Sequence, residues 1–392
     1  MKKPTILKIG LVGLIATFLP LARAGIANAD YAATPYDLVG IGGDTPQYTL
    51  DFLANGDADG DPGFNATGDQ RRLVTFDAEP DANGRAAYYG PDEGSEADLL
   101  QYPTQVLREG EHPTQRNTSS GNAILSLEND TSDTINFIFS SSALSSSTSY
   151  TPALHEYEFG TDSVQLAADT TTNAPSGLTD ADLAGIYEGT YTAWNQIPGE
   201  SGASSATIVP LLPPSSSAIT KTFLSAIGIT QSQVDTKVVQ SVEQNDPTAI
   251  TLNTSSANAI VPFSQARYLL LKGSGASPGP ASPYFPAIPG DSTFVSGDEG
   301  ETYPAQPAFA PPIQLLESSA TTTVTDYIDV RESDLSDTGS SSEIEPGSTV
   351  NWATYLFAGT STLTPYIETA GAQALILDSG VTPAYADEGE FS

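Results

Sequence analysis

Apolar residues fall in short runs along this chain, each closed by a polar turn, and their spacing changes from one run to the next. Leu38-Val39-Gly40-Ile41 is an apolar strand that enters the turn Gly42-Gly43-Asp44-Thr45, after which Tyr48, Phe52 and Leu53 recur at helical spacing. Ile135 to Phe139 predicts a buried strand closing on Ser140-Ser141-Ser142, and Ile208 to Leu212 another that leads through Pro213-Pro214 to Ser215-Ser216-Ser217. Thr179 is placed to cap a helix over Asp180 to Tyr187 that Gly189 stops, and the serine turn opens a helix over Ala218 to Ile227. Further strands are predicted within Arg71 to Ala78, Ala259 to Ser264 and Thr321 to Val330, and Phe159 to Leu166 is the expected crossing point into a second domain. Helices are predicted over Gln231 to Val242, Trp352 to Phe357 and Pro365 to Leu377. Strands alternating with helices in this way predict an α/β fold.

Four of the turns, at 43–45, 118–121, 140–142 and 215–217, present hydroxyls or free N–H groups where a strand ends or a helix begins. Such a place suits a small anion, because backbone N–H groups and the positive end of the helix dipole point outward together. Ordinary helix capping accounts equally well for each turn taken alone.

The chain has 392 residues, enough for two domains. Lys2, Lys3 and Lys8 precede an apolar run from Ile9 to Leu21 and the small residues Ala27-Asn28-Ala29, the pattern of a secretory signal peptide over residues 1–29. No later stretch is apolar enough for a membrane helix, so the mature chain is expected to be secreted or periplasmic without inserting in lipid. Cysteine is absent, so no disulfide supports it outside the cell. The first 29 residues hold four basic residues and no acidic ones; the remaining 10 basic against 48 acidic residues leave a mature charge of −38. A field of that sign excludes nucleic acid as a partner.

Only His112 and His155 titrate near neutrality, and neither belongs to a zinc-protease motif; no G-x-S-x-G elbow or phosphate-binding P-loop occurs. A nucleophilic triad would have to use one of these two histidines. The loop Asp57-Ala58-Asp59-Gly60-Asp61 alternates carboxylates as calcium loops do. Pro62 and Gly68 stand where such a loop needs its glycine and its bidentate glutamate, so a solvated acidic loop with no metal is expected. No cofactor is implied, and binding is the stronger expectation than catalysis.

The segments Gly40 to Asp51, Arg116 to Ile124, Phe137 to Ser145, Phe159 to Leu166, Asp182 to Asn195, Leu211 to Leu224 and Asp246 to Phe263 resemble, in this order, the PstS-like phosphate-binding proteins of ABC uptake systems. Leu183-Ala184-Gly185-Ile186-Tyr187, followed by Trp194-Asn195, is the most specific piece. The resemblance implies a two-domain type 2 periplasmic-binding-protein fold with a hinge between the domains. Domain I would comprise 30–162 and 321–392, and domain II 163–320.

It also implies a ligand site of four loops, here Asp44 and Thr45, Ser119 and Ser120, Ser141, and Ser216 and Ser217. Two charged groups of the family's site are replaced: Ser141 stands for an Asp and Pro213 for an Arg, with Arg116 as a possible substitute for the latter. The expected activity is therefore the binding of a small polar molecule or oxyanion, phosphate by default, with an ABC permease as partner. The alternative is a secreted or surface structural protein that keeps the fold and has given up phosphate.

Overall fold

The computed structural model describes residues 33–57, 61–66, 71–76, 78, 104–105, 107–108, 110–111, 114–115, 120–240, 242, 245, 247–251, 253–272, 313–318, 320–339, 343–345 and 347–392. The signal-peptide pattern, His112, Arg116 and Ser119 lie outside them.

The chain opens with β1 (Leu38–Gly42), α1 (Gln47–Asn55), β2 (Leu73–Phe76) and a small hairpin, β3 (Thr104–Gln105) and β4 (Thr114–Gln115). There follow α2 (Ser120–Asn129), β5 (Phe137–Ser140) and the long β6 (Leu154–Asp169). The middle of the chain forms α3 (Asp180–Tyr187), β7 (Val209–Leu212), α4 (Ala218–Ala226), β8 (Val239–Gln240), α5 (Thr248–Thr251), β9 (Ala259–Ser264) and α6 (Gln265–Lys272). The last part adds β10 (Ile313–Leu315), β11 (Thr322–Arg331), α7 (Glu332–Ser336), α8 (Ala370–Asp378) and β12 (Thr382–Phe391). No helix among the described residues is long and apolar enough to cross a membrane.

Ten strands make one mixed sheet along the path β2-β1-β5-β11-β6-β9-β7-β8, with β10 and β12 also paired to β6. β1 runs parallel to β2 and β5, β7 runs parallel to β8 and β9, and the two groups are joined by the antiparallel pair β6 and β11. β6 spans both halves: Leu154 to Thr161 pairs with β11 and β12, and Val164 to Ala168 pairs with β9. A bulge in β6, with Phe159 the extra residue opposite Asp326 and Tyr327 of β11, falls at the passage from one half to the other. This is a mixed α/β architecture, with helices on both faces of one sheet.

Because side chains alternate along a strand, the register sorts residues onto two faces. The back face carries Phe137, Phe139, Tyr157, Phe159 and Ile328 of one half and Ala167, Leu211, Val261 and Phe263 of the other, all in one buried cluster closed by α1, α6 and α8. The front face has two separate cores. Val39, Ile41, Val74, Ile138 and Leu154 pack under α2, and Leu166, Ala168, Leu212 and Ile260 pack under α3 and α4 with Trp194. Between these cores Ile219 of α4 rests on Val164 and Val324, and the remaining front positions of the crossing strands are polar.

Local chemistry matches the sequence where a cap or turn dictates it. Thr179 and Asp182 form a reciprocal capping box on α3, and Gly189 adopts φ +76° at its end. Two expectations are corrected. Gln231 to Val242 is not a helix: Gln231–Gln233 makes a single 3₁₀ turn and Val239–Gln240 joins β7 as a strand, in line with the β-branched valines there. The acidic loop is not solvated at its first carboxylate, since Asp57 is buried and accepts the Asp61 N–H at 2.9 Å. Asp378 of α8 joins them, with ligand atoms of all three carboxylates within 4.8 Å of one another.

Candidate functional site

The site grows from the turn after β1. Gly43 donates its N–H to the Phe139 carbonyl at 2.9 Å, extending the β1–β5 ladder by one rung. A Cβ on Gly43 would stand 3.1 Å from the Ser120 hydroxyl, so glycine is what lets this turn approach the first residue of α2. The Ser120 hydroxyl accepts the Ser141 N–H at 2.9 Å, and the Ser141 hydroxyl donates to Oδ1 of Asp326 at 2.5 Å. Three turns predicted from sequence, at 43–45, 118–121 and 140–142, therefore meet through Gly43, Ser120 and Ser141. Thr45 is buried beside them.

The second half contributes residues that the sequence had not singled out. The Ser264 hydroxyl at the end of β9 donates to Asp162 of β6, and the Ala266 N–H in the first turn of α6 donates to the same carboxylate at 3.0 Å. Asn245 donates its side-chain N–H to Asp44 and accepts the Ser264 N–H at 2.8 Å. Arg267 reaches Oδ1 of Asp44 at 3.4 Å while its guanidinium lies 3.8 Å from the centre of the Tyr48 ring. Arg267 thus brings a cation to the turn after β1. It comes from α6, 223 residues along the chain from Asp44.

Asp162 and Asp326 share the front face of the crossing strands, with Val324 paired to Asp162 and Asp326 to Gly160. Burial pushes Asp162 up to about 6 despite its hydrogen bonds, with nearby Asp44 adding to the rise. Burial likewise holds Asp326 well above the usual carboxylate range, and repulsion from Asp162 adds to it. Oδ2 of Asp326 has no hydrogen-bond partner, although the side chain is fully buried.

The fourth predicted loop divides. Ser217 is buried and caps α4, accepting the Thr220 N–H at 3.5 Å, which is the ordinary role of a serine there; Ser216 is exposed. α4 still belongs to the region, because Ile219 packs on Val164 and Val324, and Val324 is paired with Asp162.

His155 has its Nδ1 at 2.7 Å from Glu332 and its Nε2 at 2.7 Å from Asp387, and its ring stacks on Tyr157. Both nitrogens are taken by carboxylates, which leaves neither to activate a nucleophile. The residue ties β12 and α7 to β6.

A signal for the missed residues existed. Asp162 and Asp326 are buried acids at inward positions of the crossing strands, and Arg267 is one of few cations in the chain and directly follows a buried strand.

Residues 104–273 match the sequence model of the PBP superfamily domain. Among solved structures, the chain is similar to an ABC-type phosphate transport receptor from Vibrio cholerae, at 15% identity over 68% of this chain and 86% of that one, with a TM-score of 0.40. PstS from Borrelia burgdorferi matches at 13% identity over 88% and 98% of the two chains, with a TM-score of 0.39. A phosphate-binding protein from Stenotrophomonas maltophilia matches at 12% identity over 88% and 90%, with a TM-score of 0.41. No curated protein matches by sequence.

Proposed function

Starting from the PBP superfamily domain that the chain carries, we propose that the protein is an exported solute-binding protein that holds one small polar guest on the front face, between its two halves, and performs no catalytic step. The observation that carries this reading is the meeting of Asp44 from one half with Asn245 and Arg267 from the other. Closing the halves brings both onto the same few polar atoms. The units 30–162 with 321–392, and 163–320, would move about Gly160 and the β6 bulge. Asp44, Thr45, Ser120 and Ser141 would face the guest from one side, joined by Ser119, and Asn245, Ser264 and Arg267 from the other. Asp162 and Asp326 would form the floor, with Ser217 at the edge.

Phosphate is the guest named by the resemblance and the first to titrate, and delivery to an ABC permease is the corresponding role. Trp194 and Trp352 are buried in the cores of the halves, so scattering is a better reporter of closure than their emission. Native mass spectrometry of the secreted protein is expected to show a small co-purifying guest, and small-angle scattering a compaction when the stripped protein is given it. A protein that carries no guest and keeps one radius of gyration through millimolar titrations of polar solutes would refute the reading. That outcome would support a structural role, which the Asp44 to Arg267 contact also favours, because it ties the halves together with the protein's own groups.

A further inference from the structure

The polar groups on the front face are unevenly matched, and the imbalance specifies a guest. An oxyanion is held by hydrogen-bond donors, and several of those on this strip among the described residues are already engaged. The Ser141 hydroxyl is given to Asp326, the Ser264 hydroxyl and the Ala266 N–H to Asp162, and the Asn245 amide and Arg267 guanidinium to Asp44. Each of these donors ends on a carboxyl group of the protein itself. A phosphate entering here would compete with three carboxyl groups for donors they already hold, and would face their charge in a chain whose formal net charge is −34.

What remains unmatched is a carboxyl oxygen. Asp326 is fully buried on the face that α4 covers, one oxygen is engaged by Ser141, and Oδ2 meets nothing. Asp162 lies on the same face of the neighbouring strand. A buried carboxyl oxygen without a partner is costly to keep, and it is retained where a ligand completes it. An ammonium group supplies both the missing donors and the missing charge.

Resting on the solute-binding reading above, we infer that the guest is a small organic cation bearing a primary ammonium, received by Asp326 and Asp162 on the front face, and that inorganic phosphate is not bound. Arg267 is already neutralised by Asp44 at 3.4 Å and stacked on Tyr48, so it does not oppose the ammonium as a free cation would. The bond between the halves made by Asp44, Asn245 and Arg267 closes over the guest without touching its charge.

The test is isothermal titration of the full secreted protein with putrescine, ethanolamine, tetramethylammonium, phosphate and sulfate. Saturable heat is expected from at least one primary amine, with binding weaker by about tenfold or more for tetramethylammonium, which carries the charge and no N–H. Asp326→Asn is expected to weaken amine binding by about tenfold or more, and Asp162→Asn, checked for folding by thermal melting, provides an independent second variant. Phosphate binding to the wild type with no response to either amine overturns this inference and leaves the solute-binding reading standing. So does amine binding that neither variant affects. Silence from every probe, with no compaction in scattering, overturns both.

Discussion

The two faces of the one sheet are built on opposite principles. The back face is a single apolar core that passes without interruption from Phe139 and Phe159 to Val261 and Phe263. The front face has an apolar core at each end and, between them, Glu156, Asp162, Asp326 and Asp329 on adjacent strands. Burial of apolar surface stabilises roughly in proportion to area, whereas each buried carboxyl group costs free energy unless it is partnered. The sheet therefore draws its stability from the back and spends part of it on a polar strip in front.

Substitutions can be used to break that contrast. The largest effect is expected on the back: Phe263→Ala should cost about 3 to 5 kcal/mol in urea unfolding, as a single transition, because its cluster also holds residues of the other half. Two separated transitions would show that the back core does not couple the halves. Next is Arg331→Met. Its guanidinium donates to the Ile135 carbonyl at 2.8 Å and pairs with Asp130 at 3.0 Å, so removal should cost about 3 kcal/mol by the same measurement. Asp326→Leu should act with the opposite sign, raising stability by about 1 to 2 kcal/mol while abolishing guest binding. A loss of stability there would mean that the front carboxyl groups support the fold.

The pair Glu156 and Asp329 gives the strip a pH dependence. The two residues are directly opposite on β6 and β11, and Oδ1 and Oδ2 of Asp329 both lack a conventional donor. Burial raises Glu156 from 4.5 to about 7, and burial together with repulsion from Glu156 keeps Asp329 well above its ordinary range. The folded state thus binds protons more tightly than the unfolded chain, so stability falls as pH rises from about 4.5 through about 7. Thermal melts should show the midpoint dropping across that window, and Glu156→Gln should flatten the slope. The smallest effect is expected for His155→Gln. Its two carboxylate partners are largely exposed, so the cost should be about 0.5 kcal/mol, read as faster amide exchange confined to β12.

Much of this architecture was legible where the local code is strong. The alternation in Thr321 to Val330 marked one of the crossing strands, and Thr179, Gly189 and Ser217 marked helix ends by their own side-chain or backbone chemistry. The strand β12 was missed because Pro383, Gly389 and its run of acids have low strand propensity; it is held as an edge by β6. On the candidate site, Asp44, Ser120 and Ser141 were found because each sits in a turn with a recognisable sequence. Asp326 and Arg267 were not, since their meaning depends on partners 185 and 223 residues away. Nothing local distinguishes a buried acid awaiting a donor from one facing water.

The order in which strands enter the sheet has a consequence for how the protein is made. β5 lies between β1 and β11, and β6 needs β11 and β12, yet residues 163–320 intervene before those partners are synthesised. A nascent chain emerging from the ribosome can assemble its later-coded half while the earlier-coded one still waits with open strand edges, which are sticky towards other chains. Such a delay makes a holding chaperone most necessary for the segment that leaves the ribosome first.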